Sequence, residues 1–326
     1  GLNGIWLALQ DGRVYQSDDL GRTWSLIAEL PIRATRVVAD PYTLEVWVGT
    51  DGLGLVRVRP APTFHTGAVS VDALSVEITP DISRTLVTLL ARVLPERRDM
   101  GATQPELLGL FESEGAGAWT RRALTTGLGS ELLASPLFAY DRTLYSGRKV
   151  STDGGDTWRD LQMGPSGRAP YVIGVGPLTA TLPVVYAVDE PYTGVTGGRG
   201  LVLSEDGGLT WRATEGVAQG IVDVVASPGL PDDRTALLVT AGGFVYGSQD
   251  GLTFRYVSRV PSYDPIERNV YDLALSPDFP MDGIALAVVE DPLASPRANI
   301  YFPNNAGRTW QHMGLPDSHH IARIVI

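Results

Sequence analysis

An eight-residue motif recurs along the chain and constrains its fold more than any other feature. It reads Ser, any residue, Asp, any residue, Gly, any residue, Thr, Trp, and we call it the octapeptide turn. Its five copies begin at Ser17, Ser151, Ser204, Ser248 and Pro303. The Ser248 copy is one residue shorter and ends in Phe, and the Pro303 copy carries Asn in place of Asp. Such self-similarity indicates an array of similar structural units.

A second repeated element lies upstream of the octapeptide turns. It consists of an apolar strand, a turn that contains proline, and another apolar strand. These turns lie 39 to 56 residues apart, and a four-stranded propeller blade takes about 40–50 residues. We therefore predict blades in the order A strand, proline turn, B strand, loop, C strand, octapeptide turn, D strand. The prolines that mark the turns are Pro41, Pro80, Pro136, Pro177, Pro228 and Pro277.

The two ends of the chain complement each other. Six prolines mark six A strands, but residues 4–9 and 13–16 already read as a B strand and a C strand. The apolar segment 321–326 has the pattern of the missing A strand. We therefore predict an all-β fold, a single seven-bladed β-propeller in one domain spanning residues 1–326. Its blades are four-stranded and antiparallel, and strand 321–326 closes the ring by pairing into the N-terminal blade, which protects the sheet edges.

The octapeptide turns mark a family resemblance. The motif is the Asp-box, and the chain resembles the Asp-box (BNR-type) β-propellers. The acidic side chains of these turns can bind a ligand or a metal, or they can hold the turn by accepting backbone hydrogen bonds. Five similar turns around a ring cannot converge on one ligand, which favours the structural role. The residues assigned this role are Asp19, Asp153, Asp206, Asp250 and Asn305.

The longest insertions fall on one predicted face of the propeller. They connect B to C strands or D to A strands, opposite the octapeptide turns. Long loops on a rigid scaffold are where binding residues concentrate, so we predict that this loop face binds a partner. The alternative is a set of solvated loops without a ligand. The candidate binding residues are Glu96, Arg97, Arg98, Asp99, Asp189, Glu190, Tyr192, Arg199, Tyr263, Asp264, Arg268, Asp291 and Arg297.

The resemblance implies several activities. Sialidases need an arginine triad whose first member lies in an Arg-Ile-Pro signature, and the segment Pro31-Ile32-Arg33 has the reverse order. Xyloglucan-type glycoside hydrolases have similar blades, but they use two propellers and a pair of carboxylates across a cleft. Sortilin and the photosystem II assembly factors are non-catalytic relatives, and the single propellers of the assembly factors match this chain best. We therefore predict a non-catalytic binding or assembly module for a protein or glycan, with a glycoside hydrolase as the alternative.

Composition narrows the classes of partner and cofactor. The net charge is −11 and the pI about 4.8, which argues against nucleic acid because phosphate binding needs a basic surface. The chain has no cysteine. Adjacent His319 and His320 point to opposite sides of an extended segment, so we predict neither a metal nor a cofactor. No apolar run reaches membrane-spanning length. We expect export, with a leader or membrane anchor preceding Gly1 as a possibility.

Overall fold

The structure is a computed structural model, and it describes part of the chain. The described residues are 4–39, 46–50, 54–59, 63–65, 73–80, 87–93, 109–114, 120–121, 132–179, 182–189, 200–217, 220–229, 232–261, 269–276, 278–290, 298–313 and 321–325. They divide into two compact units, one built from Asp160–His319 and the other from Leu2–Arg159 with His320–Val325. The assignment of residues 1–326 to one domain stays a prediction.

Antiparallel sheets account for almost all of the regular structure. Sheet 1 contains β1 (Ile5–Leu9), β2 (Arg13–Ser17), β3 (Ser25–Glu29) and β28 (Ile321–Val325). Sheet 2 contains β4 (Ala34–Ala39), β5 (Val46–Thr50), β6 (Gly54–Arg59) and β7 (Thr63–His65). Sheet 3 contains β8 (Ala73–Pro80), β9 (Val87–Val93), β10 (Gly109–Glu114) and β11 (Thr120–Arg121). Sheet 4 contains β12 (Leu133–Ala134), β13 (Leu144–Ser146), β14 (Lys149–Ser151) and β15 (Arg159–Asp160).

Three further sheets belong to the unit Asp160–His319. Sheet 5 contains β16 (Tyr171–Thr179), β17 (Leu182–Asp189), β18 (Gly200–Ser204) and β19 (Arg212–Ala213). Sheet 6 contains β20 (Ile221–Ala226), β21 (Ala236–Thr240), β22 (Phe244–Ser248) and β23 (Arg255–Arg259). Sheet 7 contains β24 (Asn269–Leu275), β25 (Ala285–Glu290), β26 (Ala298–Phe302) and β27 (Gln311–Met313). Two one-turn helices, α1 (Phe138–Asp141) and α2 (Phe279–Asp282), lie in the connections from β12 to β13 and from β24 to β25.

The predicted count of seven equivalent blades requires a correction. We take a blade to be a sheet in which the side chains of at least three strands are described. Six sheets meet this definition, each with three to four antiparallel strands whose side chains are described. In sheet 3 the structure describes the backbone ladder and none of the side chains. The fold class is therefore corrected from seven blades to six. In the sequence, residues 112–119 form a degenerate copy of the octapeptide motif that lacks its Thr.

The predicted pairing of the two ends of the chain is present in sheet 1. Strand β28 pairs antiparallel with β1, with Val325 opposite Trp6 and Ile324 opposite Leu7. Strand β1 is buried along its whole length, and it lies between β28 and β2, so both of its edges are hydrogen-bonded. The C-terminal strand thus covers an edge that the N-terminal strand alone would expose.

Proline turns are formed as predicted in sheets 4, 6 and 7, with one recurring geometry. Ser135 Oγ donates to Asp141 Oδ2 at 2.5 Å, and Asp141 Oδ1 accepts from the Thr143 backbone N–H at 2.9 Å. The same pair of bonds recurs at Ser227 and Asp233 and at Ser276 and Asp282. Two marker prolines depart from the prediction. Pro80 is the last residue of β8, and Pro177 lies inside β16 beside an irregularity in pairing, where a missing N–H is tolerated.

Candidate functional site

The octapeptide turn at Ser204 shows how the repeated residues are used. Ser204 Oγ accepts the Gly208 N–H at 2.7 Å and donates to Asp206 Oδ1 at 2.7 Å. The Asp206 carboxylate also accepts the backbone N–H groups of Leu209 and Thr210 and the Thr210 hydroxyl, at 3.0, 2.8 and 2.5 Å. The acceptor capacity of the Asp206 carboxylate is used within its own turn.

The other copies repeat this network. Asp19 and Asp153 accept the N–H and hydroxyl of Thr23 and Thr157, and Asp250 accepts the N–H groups of the two residues that follow Gly251. The altered copy keeps the geometry with an amide. Asn305 Oδ1 accepts the Thr309 N–H at 3.0 Å, and its Nδ2 donates to the Thr309 hydroxyl at 2.7 Å.

These hydrogen bonds favour the charged carboxylate. Those from the Thr23 side chain and backbone lower the pKa of Asp19 from 3.8 to about 2. For Asp153, burial opposes the shift, but hydrogen bonds from Thr157 and Ser151 outweigh it and lower the pKa to about 2. Backbone hydrogen bonds from Thr253 and Leu252 also hold the pKa of Asp250 well below its usual range. A carboxyl pKa that is lowered by hydrogen bonds within the turn shows that those bonds stabilise the charged carboxylate.

The Trp residues that end the turns anchor them to their surroundings. The Trp158 indole Nε1–H donates to Gly155 O within its own turn at 3.0 Å. Trp211 donates to Gln162 O at 3.1 Å, and Trp310 donates to Ser258 Oγ on sheet 6 at 2.9 Å. Each of these indoles has the hydrogen-bond partner that a partly buried Trp needs.

One candidate residue of the loop face has a described position. Asp189, at the end of β17, is buried and accepts hydrogen bonds from the Ser166 backbone N–H at 2.8 Å and from the Ser166 hydroxyl. It fixes the segment between β15 and β16, where Met163 stands 74% exposed. The other candidates lie outside the described residues: Glu96, Arg97, Arg98, Asp99, Glu190, Tyr192, Arg199, Tyr263, Asp264, Arg268, Asp291 and Arg297.

The described residues contain neither a metal-binding cluster nor a membrane-spanning helix. Within the described ranges, no group of three or more His, Asp or Glu side chains is placed to hold a metal ion. No helix among the described residues is long and apolar enough to cross a membrane.

Strands β22 and β23 carry an exposed aromatic surface, which we define as Phe244, Tyr246, Tyr256 and Arg259. Phe244 lies opposite Arg259, and Tyr246 lies opposite Tyr256. The Tyr256 ring contacts those of Phe244 and Tyr246 edge to face, with centroids 6.3 and 6.1 Å apart. Arg259 lies over the Phe244 ring at 4.6 Å, and its Nε donates to Gly242 O. Tyr256 is 59% exposed and Phe244 38% exposed.

A cleft of about 420 Å³ opens between sheets 6 and 7, on the side of the octapeptide turns. Its lining includes Leu237, Gly247 and Val257 from sheet 6, and two exposed arginines, Arg255 and Arg308. Sequence reasoning did not identify this cleft or the aromatic surface. The signal for the aromatic surface was the alternation of Phe244 and Tyr246 with smaller residues, which predicts one shared strand face.

Similarity to solved structures supports a propeller fold. YCF48 from Cyanidioschyzon merolae aligns at 15% identity and a TM-score of 0.53, covering 87% of this chain and 86% of that one. The C-terminal WD40 domain of Sif2 aligns at 12% identity and 0.54, covering 92% and 78%. Apo AztD from Citrobacter koseri aligns at 12% identity and 0.53, covering 99% and 97%. Neither a protein-family model nor a curated protein matches the chain.

Proposed function

We propose that the chain is a non-catalytic propeller module of the Asp-box type that binds a protein partner. The observation that carries this proposal is the aromatic surface of sheet 6. Three aromatic side chains and one arginine are held together on two paired strands, and Tyr256 presents most of its ring to solvent. Aromatic residues and arginine are the types enriched at the energetic centres of protein interfaces.

The rigidity of this surface favours binding. Tyr256 is braced by two neighbouring rings, and the Arg259 guanidinium is fixed by Gly242 O and by the Phe244 ring. When a partner covers side chains that are already held in place, those side chains lose less conformational entropy on binding. The buried area of large aromatic rings then adds to affinity with little ordering cost.

The acidic residues of the octapeptide turns, and Asp189, are held by structural hydrogen bonds and are not presented as a catalytic pair. A glycoside hydrolase needs one carboxyl group as acid and another as base or nucleophile. Asp19, Asp153, Asp206 and Asp250 are each engaged by their own turn, and Asp189 is engaged by Ser166. The likeness to a WD40 domain and to YCF48 supports the fold on which such a module is built. The loop face is proposed as a second contact region.

Tyr256→Ala tests the proposal, and Tyr140→Ala is its matched control. The two tyrosines are 59% and 58% exposed, and Tyr140 lies on α1 in the other compact unit. Proteins captured from a lysate of the source organism by the wild-type chain are identified, and each is purified for direct affinity measurement. We expect Tyr256→Ala to weaken one partner at least tenfold, about 1.4 kcal/mol, while Tyr140→Ala leaves its affinity unchanged.

Three outcomes contradict the proposal or its parts. A partner that loses no affinity with Tyr256→Ala, but loses it when Arg97, Arg98 and Arg268 are changed to Glu together, assigns binding to the loop face alone. Binding of purified oligosaccharides that depends on Tyr256 would make the ligand a glycan. Hydrolysis of a polysaccharide by the purified chain would make the protein an enzyme.

A further inference from the structure

Two clefts between neighbouring sheets occupy equivalent places in the repeat. Val185 pairs with Ser204 in sheet 5, and Ala236 pairs with Ser248 in sheet 6, and both serines begin octapeptide turns. In the next cross-strand pair, Tyr186 of β17 lies opposite Leu203 of β18, and Leu237 of β21 lies opposite Gly247 of β22. Tyr186 therefore corresponds to Leu237, and Leu203 corresponds to Gly247. The cleft between sheets 5 and 6 and the cleft between sheets 6 and 7 can therefore be compared position by position.

The cleft between sheets 5 and 6, the filled cleft, is closed by large side chains. Tyr186 and Leu203 leave about 10 Å³ of open volume, and the Tyr186 hydroxyl donates to Gly251 O at 3.2 Å. A counter-charge to the arginines is also present there. Glu205 lies 3.2 Å from the Arg234 guanidinium and 3.5 Å from that of Arg212.

The cleft between sheets 6 and 7, the open cleft, has lost both features. Leu237 and Gly247 replace the larger pair, and about 420 Å³ is open. Gln249 takes the place of Glu205 as the second residue of the octapeptide turn. Arg255, which pairs with Gly247 as Arg212 pairs with Leu203, therefore has no glutamate in the corresponding place.

The remaining charges leave the open cleft cationic. Within the described residues, neither the Arg255 nor the Arg308 guanidinium has a carboxylate within 4 Å. Asp250 lines the cleft and contributes one negative charge, held by hydrogen bonds from Ser248 Oγ and the backbone N–H groups of Leu252 and Thr253, against the two positive charges of the arginines. Two exposed arginines thus flank an apolar floor in a protein whose net charge is −11.

We propose that the open cleft binds an acidic side chain of a peptide segment in the protein partner. This inference rests on the proposed protein-binding function and assigns it a second contact. Arginine forms short, charge-assisted and often bidentate hydrogen bonds to a carboxylate. Leu237 and Val257, which line the cleft, offer apolar contact to the methylene groups beside that carboxylate. The cleft volume of about 420 Å³ lies within the range of about 300–1,000 Å³ that is typical of ligand pockets.

Binding is tested with the full chain and two short probes. The probes are the terminally blocked pentapeptides Ala-Leu-Glu-Leu-Ala and Ala-Leu-Gln-Leu-Ala, titrated while the arginine Nε–H resonances are followed by NMR. We expect the glutamate peptide to shift the resonances of Arg255 and Arg308 and the glutamine peptide to bind at least fivefold more weakly. Equal binding of the two peptides, or no shift at either arginine, overturns the proposal.

Variants that copy the filled cleft give the second arm. Gln249→Glu restores the counter-charge, and we expect it to weaken binding of the glutamate peptide at least threefold. Gly247→Leu places a larger side chain on the floor of the cleft, and we expect the same loss of affinity. Arg212→Gln in the filled cleft is the matched control and should leave binding unchanged. Unchanged binding to Gln249→Glu overturns the assignment of the cleft, and Gly247→Leu adds evidence only if it remains folded by circular dichroism.

Inorganic phosphate provides the last arm. If phosphate shifts the same two resonances at the same concentrations as the glutamate peptide, the cleft selects small anions and the peptide assignment is overturned.

The aromatic surface lies on the other face of β22 and β23, because Phe244 and Tyr246 alternate with Val245 and Gly247. Loss of a partner with Tyr256→Ala, together with failure of both peptides, would therefore overturn this inference and leave the proposed function intact.

Discussion

Removing the carboxylate of Asp206 tests whether an octapeptide turn is held by its own side chains. In Asp206→Ala the Ser204 hydroxyl, the backbone N–H groups of Leu209 and Thr210, and the Thr210 hydroxyl all lose their acceptor. A typical hydrogen bond contributes about 0.5–1.5 kcal/mol net. The turn is exposed, so water replaces part of what is lost, and we expect a decrease of about 1–2 kcal/mol in the free energy of unfolding.

The altered copy of the repeat supplies an internal reference for this change. Asn305 accepts the Thr309 N–H and donates to the Thr309 hydroxyl in the same geometry. Asp206→Asn should therefore keep most of the network and cost less than about 0.5 kcal/mol, in the range of ordinary surface substitutions. Leu209→Ala is the matched control, since Leu209 lies in the same turn and is 48% exposed.

Urea unfolding followed by both tryptophan fluorescence and circular dichroism measures these differences. Coincident transitions from the two probes are required before free energies are compared, because a chain with two compact units need not unfold in one step. An Asp206→Ala variant as stable as the Leu209→Ala control would refute the reasoning. So would an Asp206→Asn variant as unstable as Asp206→Ala, because it would assign the effect to charge.

Two further predictions concern the turns and the sheet edge. The free energy of unfolding should fall as the pH drops from about 4 to about 2, because the pKa of Asp153 is lowered from 3.8 to about 2. The stabilisation from its charged form is complete above the unfolded pKa and is lost when the folded state is protonated. Acid titration of Asp153→Asn should show a shallower loss of stability, and an identical slope would contradict this. Deleting residues 321–326 should expose the edge of β1 that pairs with β28. We expect a lower unfolding midpoint than that of the undeleted chain, and association through the free edge. An unchanged midpoint together with a monomeric elution volume would contradict this prediction.

Features fixed by local repetition could be predicted from the sequence. The octapeptide and proline turns close their hydrogen bonds within a few residues, so Ser204, Asp206 and Thr210 identify the geometry directly. The edge pairing of 321–325 with 5–9 followed from counting strands. The blade count was wrong because counting apolar strands and marker prolines also includes sheet 3, which is not one of the six blades.

Contacts between distant segments could not be predicted. Asp189, a loop-face candidate in the sequence, is buried and accepts a hydrogen bond from the backbone N–H of Ser166, 23 residues earlier, a contact that the sequence does not indicate. The open cleft depends on which residues face each other across β21 and β22. Gly247 and Leu237 acquire significance only when their registers place them where Leu203 and Tyr186 stand in the preceding sheet.

Two glycines illustrate the same limit and give a last prediction. Gly167 and Gly216 both lie in connecting segments and both have positive φ, at +78° and +88°. A Cβ atom at Gly167 would meet nothing within 4 Å, whereas one at Gly216 would lie 1.8 Å from Phe254 O. Gly167→Ala therefore carries only the left-handed backbone cost, about 1–2 kcal/mol. Gly216→Ala adds a collision with backbone that is hydrogen-bonded to Glu215, so we expect it to cost at least about 2 kcal/mol more. Equal urea midpoints for the two variants would show that the segment beside Phe254 yields freely, and that sheets 5 and 6 are not tied together there.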